Sequence, residues 1–303
     1  MDNNNDIYGE KKIIKNLALC GGGFYGYAEV GVLKELEKYA DHIQISNISG
    51  VSVGSMVAAL YAVGYTPDEL TKILFDMDFD YLIRDSYLPY IRLYGWFGMY
   101  EAGRLEEFVE KLIRQKTHIK HCTFSQVKTN LYVVATNLNY QRPVIFCKDN
   151  TPEMVISRAV RMSISYPGII TPILHEGDYY GDGGEFMNYP IIMFDNMEES
   201  IGVTFASHNE NPDGTLKHKI PIHNIYDYIR SLAFTMSRAT YLYQITSEYL
   251  DRSIIVHIEE NIDSMQFQLT PGQKEYLYQR GIHSIQKQIH KIIGISSTPS
   301  EKN

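Results

Sequence analysis

Cysteine is scarce in this chain: Cys20, Cys122 and Cys147 are the only three. They show no CxxC or His-paired spacing, which excludes a disulfide framework and a zinc site of ordinary form. A reducing compartment is the simpler setting for such thiols. Long apolar runs are absent too: none reaches the roughly 18 residues of a membrane span, and the polar residues 1–16 hold no signal-peptide core. Basic residues are outnumbered, 28 Lys and Arg against 36 Asp and Glu, which gives a formal charge of −8. That balance offers no general attraction to nucleic acid or anionic lipid, so any lipid contact has to be local and apolar. The expectation is a cytoplasmic protein that visits membranes peripherally. Its 303 residues, 44% of them hydrophobic, suffice for a sizeable core.

Residues 13–20 form a short apolar run that stops at Gly21-Gly22-Gly23, as a buried strand entering a glycine turn does. Val30, Leu33, Leu36 and Tyr39 then recur near helical spacing. A second strand-like run, 42–49, ends at Gly50, and residues 52–63 are apolar on every side, the mark of a buried helix. Thr66-Pro67-Asp68-Glu69 has the form of a capping box with proline in the first turn and predicts a helix to about Phe75. Leu105, Phe108, Val109, Leu112 and Ile113 predict an amphipathic helix, and residues 131–136, 144–147, 201–205 and 254–258 read as strands. A last helix opens at Thr270-Pro271 and carries Leu277, Ile282, Ile285, Ile289 and Ile292.

Strands alternating with helices predict an α/β fold whose mainly parallel sheet is covered on both faces. The polar stretch 207–219 reads as a surface loop rather than a boundary. Residues 16–294 are therefore expected to form one domain, between a polar segment 1–15 and a flexible tail 295–303.

Gly50-Val51-Ser52-Val53-Gly54 lies where a predicted strand meets a buried helix, the context of a G-x-S-x-G nucleophile elbow. A serine on so tight a turn needs neighbours without side chains, and the helix beneath it favours developing negative charge. Five letters alone also fit an ordinary turn; the strand–turn–helix context is what points to a nucleophile. Gly21-Gly22-Gly23-Phe24-Tyr25-Gly26 ends the preceding strand, so its backbone N–H groups can converge on a tetrahedral oxyanion. The same letters spell the G-x-G-x-x-G of a dinucleotide site, which expects an acidic residue about 20 positions on. Residues 45–49, Ile-Ser-Asn-Ile-Ser, supply none, which disfavours that reading.

Tyr180-Gly181-Asp182-Gly183-Gly184 is by default a turn. It gains weight from its company, because an elbow serine needs a base and a short carboxylate on a glycine loop can approach it closely. A Ser-Asp-His triad is the alternative, with His175, His208, His257 and His283 downstream of Ser52, none in a pattern that marks it.

In this order the three motifs resemble those of the patatin-like phospholipases: an oxyanion loop G-G-G-x-[KR]-G, a G-x-S-x-G elbow and a D-G-[GA] loop. The resemblance runs from about residue 16 to residue 293. Residues 132–137 resemble the family's central strand, and Ser157-Arg158-Ala159 through Ser165-Tyr166-Pro167 its helix and S-x-P turn. Asp182-Gly183-Gly184, with Asn188 and Pro190, matches the family's D-G-G-x-x-x-N-x-P run.

The resemblance implies a patatin-like three-layer α/β/α fold with a mainly parallel central sheet and a serine lipid acyl hydrolase that uses no metal or cofactor. It implies Ser52 as nucleophile, Asp182 as its only catalytic partner, and Gly21, Gly22 and Gly23 as the oxyanion hole. The implied substrates are phospholipids or lysophospholipids at a membrane surface, with no nucleic-acid partner. A catalytically silent lipid-binding module that keeps the fold is the reading from another class, and the intact Ser52 and Asp182 argue against it. Tyr25 departs from the pattern, standing where the family usually has Arg or Lys, which leaves the backbone donors unaffected.

Residues 81–100 are unusually aromatic, with Tyr81, Tyr87, Tyr90, Tyr94, Trp96, Phe97 and Tyr100. Two roles are open to them. Rings with polar tips suit a water–lipid boundary; filling the core beside a flanking helix is the commoner use and the one expected here.

Overall fold

A computed structural model describes residues 13–211, 215–266 and 268–294. The tail 295–303 and most of the N-terminal segment thus lie outside the described residues. Strand β1 (Ile14–Leu19) runs into the glycine turn and helix α1 (Gly26–Leu36); β2 (Ile43–Val51) leads into α2 (Val53–Ala62) and α3 (Pro67–Asp76). The capping box forms as expected: the Thr66 hydroxyl accepts from the Glu69 N–H at 3.3 Å, and Glu69 Oε2 accepts from the Thr66 N–H at 2.8 Å. Short helices α4 (Phe79–Ile83) and α5 (Pro89–Trp96), strand β3 (Gly98–Tyr100) and α6 (Gly103–Thr117) follow. Next come β4 (Asn130–Asn137), β5 (Arg142–Cys147), α7 (Ile156–Ser163), β6 (Gly168–Ile170), β7 (Ile173–His175) and β8 (Asp178–Asp182). The chain continues through β9 (Ser200–Ser207), α8 (Ile225–Gln244), α9 (Ser247–Asp251), β10 (Ser253–Ile258) and α10 (Pro271–Ile293).

The central sheet runs β10-β9-β1-β2-β4 with every neighbour parallel, and antiparallel β5, β8 and β7 complete it around β4. Alternate side chains of β1 enter different cores, as a strand covered on both faces requires. Leu17 and Leu19 join the larger one with Val32, Val57 and Ile285 from α1, α2 and α10. Ala18 and Cys20 join a smaller one with Tyr189, Ile191 and Met197, against which Tyr241, Ile245 and Tyr249 pack. The architecture is the expected three-layer α/β/α fold with a mostly parallel sheet.

The edges of β4 create the site. β5 pairs with residues 132–137 along one edge of β4. β2 pairs with residues 130–134 and β8 with residues 135–137, so these two strands share the other edge end to end. β2 is parallel to β4 and β8 antiparallel, so their C-terminal ends converge. Val51 faces Val134, and Asp182 faces the very next residue, Ala135. Ser52 follows Val51 directly.

The aromatic segment departs from the core role expected of it. Only Tyr100 of the seven rings is buried, and α5 buries none of its residues. The physical reason is its neighbour: α5 packs chiefly against the short strand β3, which pairs with β6 in a separate two-stranded sheet, and among the described residues no layer covers its outer side.

Candidate active site

Ser52 links β2 to α2 with φ 52° and ψ −129°, a backbone conformation that costs a side-chain-bearing residue roughly 1–3 kcal/mol. Neighbouring groups hold it there. Its N–H donates to Ser163 Oγ at 2.9 Å, and that hydroxyl in turn donates to the Val134 carbonyl at 2.6 Å. The Ser52 carbonyl accepts from both the Ser55 N–H, at 2.9 Å, and the Ser55 hydroxyl, at 2.6 Å. The flanking glycines are needed for close approach. A Cβ on Gly50 would stand 2.4 Å from the Gly54 carbonyl oxygen, and one on Gly54 would stand 2.6 Å from that of Cys20.

Asp182 ends β8 and is 3% exposed. Its N–H donates to the Ser165 carbonyl at 3.1 Å, and its own carbonyl accepts from Thr136 Oγ1 at 2.8 Å, so the backbone is held on two sides. Oδ1 accepts from the Gly184 N–H at 2.7 Å, whereas Oδ2 is buried with no hydrogen-bond partner among the described residues. Burial pushes this carboxyl up to about 7, against the opposing influence of the Ser52 hydroxyl and the Gly184 N–H. The serine thus lies close enough to act on the carboxyl, without yet making a hydrogen bond of regular geometry to Oδ2. Glu185, one turn on, is raised to about 8, first by burial and then by the charge of Asp182.

The glycine loop lies beside this pair, a Cβ on Gly21 falling 3.4 Å from Ser52 Cβ. Its three N–H groups are not equivalent. That of Gly21 donates to the Asn188 carbonyl at 3.0 Å, while Asn188 Nδ2 donates back to the Gly21 carbonyl at 3.2 Å. Asn188 therefore ties the glycine loop to the Asp182 loop and occupies the first donor. The N–H groups of Gly22 and Gly23 have no acceptor among the described residues. Gly23 adopts φ +54°, and the Ser264 carbonyl oxygen lies 2.2 Å from where its Cβ would be, so only glycine fits.

Phe24 and Tyr25 fasten a strap from the C-terminal half over this loop. The Phe24 N–H donates to the Ser264 carbonyl at 2.9 Å and the Tyr25 hydroxyl to the Ile262 carbonyl at 2.9 Å. Tyr25 is buried edge-on against Phe205, and burial pushes its phenol up to about 12. It acts as a structural anchor, in contrast to a cation presented to a ligand. Met265 of the strap, with Phe24, Phe79, Ile83, Tyr166 and Ile170, lines a narrow apolar cavity at Ser52. The cavity has a volume of about 30 Å³.

None of the histidines of the triad alternative lines the Ser52 cavity. His175 lies in β7 against the Tyr180 ring, His208 past the end of β9, and His257 and His283 are exposed on β10 and α10. Sequence reading missed Ser163, the acceptor that fixes the elbow, and the strap around Ser264. Neither carries a local signal, because each matters through a partner more than a hundred residues away.

Fold and site together define an α/β/α ester hydrolase. The model of the patatin-like phospholipases matches residues 17–195, and the chain belongs to that family. It is a lipid acyl hydrolase, acting on carboxylic ester bonds of lipids. It is 60% identical over 282 residues to an uncharacterized protein of Acanthamoeba polyphaga mimivirus, covering 92% of this chain and 95% of that one. It is 31% identical over 188 residues to a protein of Invertebrate iridescent virus 6 named "Probable lipid hydrolase 463L", covering 59% of this chain and 63% of that one. The crystal structure of VipD from Legionella pneumophila shares the fold, with a TM-score of 0.67 at 15% identity over 96% of this chain and 71% of that one.

Proposed function

We propose that the chain is an acyl hydrolase of the phospholipase A or lysophospholipase type in which Ser52 and Asp182 form a catalytic dyad. The observation that carries this reading is the convergence of β2 and β8 on one edge of β4, which brings a strained serine to a buried carboxylate with an unoccupied Oδ2. Ser52 Oγ attacks the ester carbonyl while its proton passes to Asp182 Oδ2. The oxyanion takes the free N–H groups of Gly22 and Gly23, with Gly21 holding the loop in place through Asn188. Collapse breaks the ester C–O bond, and the departing alcohol takes the proton from Asp182. Water then attacks the acyl-enzyme as Asp182 accepts its proton; collapse breaks the acyl C–O bond to Ser52, whose Oγ takes that proton back from Asp182 as fatty acid leaves. The cycle uses no metal or cofactor.

The substrates are glycerophospholipids or lysophospholipids drawn from a membrane surface, which the protein visits peripherally. No helix among the described residues is long and apolar enough to cross a membrane. The test is labelling with a fluorophosphonate probe, mass mapping of the modified peptide, and assay of fatty acid released from phosphatidylcholine and lysophosphatidylcholine. Modification at Ser52 with release from either lipid is expected. An unlabelled Ser52, or a labelled one that releases no fatty acid from any phospholipid, overturns the reading.

Ser163 provides a finer test. Ser163→Ala leaves the Ser52 N–H without its acceptor, at a cost of about 1–3 kcal/mol. Because that bond holds the nucleophile and touches no substrate, kcat should fall roughly tenfold or more with KM little changed. Steady-state rates on a soluble short-chain ester measure this, and an unaltered kcat would show that the elbow holds its strain without Ser163.

A further inference from the structure

Residues 86–100 carry one charged side chain, Arg92, and no carboxylate, although the chain as a whole has a formal charge of −8. Within this stretch Tyr87, Leu88, Tyr90, Ile91, Tyr94 and Trp96 are all exposed. A second apolar stripe runs along α8, where Ile225, Tyr228, Leu232 and Met236 recur at helical spacing and are likewise exposed. The inward side of α8 is engaged: Ile229 packs where a Cβ on Gly168 would lie, and Phe234 meets the Tyr166 ring at 5.9 Å.

The two helices that carry these stripes both connect to one wall of the Ser52 cavity. α5 packs on β3, β3 pairs with β6, and Tyr166, Ile169 and Ile170 from that region line the cavity. α8 also packs on β6, through Ile229 and Gly168. Soluble monomers rarely expose contiguous apolar patches beyond a few hundred Å² without a partner for them.

We propose that α5 and the exposed stripe of α8 dock the enzyme on a phospholipid bilayer, with Trp96 and the α5 tyrosines seated among the headgroups. A bilayer is the fitting occupant for three reasons. α8 packs on β6 and α5 on its partner strand β3, and Ile169 and Ile170 of β6 line the Ser52 cavity. Tyrosine and tryptophan, apolar with one polar tip, are the side chains that settle at a membrane–water boundary. Residues 86–100 themselves add no carboxylate that would repel anionic headgroups, Asp85 and Glu101 bounding the stretch and Glu101 lying 3.6 Å from Arg92. The choice of a bilayer rests on the proposed hydrolysis of phospholipid.

Trp96 is the only tryptophan in the chain, so its emission reports on this face alone. The full chain carrying Ser52→Ala, which cannot turn over lipid, is mixed with phosphatidylcholine vesicles containing some phosphatidylglycerol. A blue shift of Trp96 emission, quenching by brominated acyl chains, and sedimentation with the vesicles are expected. Tyr90→Glu combined with Tyr94→Glu, both at exposed positions, should weaken vesicle binding about tenfold or more while hydrolysis of a soluble short-chain ester stays unchanged. Absence of any emission shift with vesicles, or undiminished binding by the double variant, overturns the proposal. So does a blue shift that appears with protein concentration in the absence of lipid, which would make the face a contact between copies. If wild-type protein binds vesicles through Trp96 but releases no fatty acid, the docking stands and the hydrolase reading falls.

Discussion

Asp182→Asn is expected to lower kcat by about 10²–10⁴-fold, the usual range for loss of a general base. The substitution is nearly isosteric, and the amide oxygen it introduces can still accept from the Gly184 N–H that Oδ1 now engages, so the loop is preserved while the basic oxygen is lost. Ser52→Ala should be about as damaging. The double variant should be little worse than either single one, because residues acting as one unit do not contribute additively. Replacing His175, His208, His257 and His283 singly should leave most of the activity. Steady-state kinetics on purified variants, each checked for folding by circular dichroism, decide the matter. A histidine variant that is folded and inactive, beside an active Asp182→Asn, would transfer the base from the carboxylate to the triad alternative.

The acid limb of the kcat profile should lie near pH 7, about three pH units above where an ordinary aspartate would place it. Only the ionised carboxylate can take the serine proton, so well below this value kcat should fall about tenfold per pH unit, or roughly a hundredfold by pH 5. Burial is the main cause, hence a variant that admits water at Asp182 should move the limb to lower pH. Glu185, raised to about 8, remains protonated while Asp182 ionises, so Glu185→Gln should leave the limb almost where it is. An acid limb near pH 4 in the wild-type protein would show that the carboxyl is not desolvated as its burial implies.

Stability follows the opposite course to activity. A carboxyl whose folded pKa is raised above its unfolded value contributes stability that is fully present below the unfolded value and lost as pH rises through about 7. The enzyme therefore becomes active across the window in which ionised Asp182 weighs against the fold. The strained Ser52 elbow adds to the same burden, and the hydrogen bonds from Ser55 and to Ser163 offset part of it.

Much of the site was legible because its parts are short and local. A glycine turn, a serine between two glycines at a strand–helix junction and a carboxylate before two glycines each occupy a handful of consecutive residues. Their conformational demands depend on neighbours in the chain. The antiparallel portion was harder. β7 and β8 are short, and the pairing of β8 along β4 cannot be read from either strand alone; the motif at Asp182 looked like a turn until pairing made it the end of a strand. The expectation that Gly21 belongs to the oxyanion hole shows the same difficulty, because the fate of its N–H is decided by Asn188, 167 residues away.

The sequence by itself determined the alternation of strands and helices, the capping box at Thr66, the glycines of the elbow and the order of the three motifs. Periodicity, backbone freedom and side-chain capping are properties of contiguous residues. Only the tertiary structure decided that β2 and β8 meet on one edge of β4, that Ser163 receives the Ser52 N–H, that Tyr25 anchors the Ile262 carbonyl, and that the aromatic stretch of α5 faces outward. Each of these depends on which distant segment packs alongside. Hydrogen-bond partners, burial and the resulting rise of the Asp182 carboxyl toward neutrality are set by that neighbour, and no run of adjacent residues encodes its position.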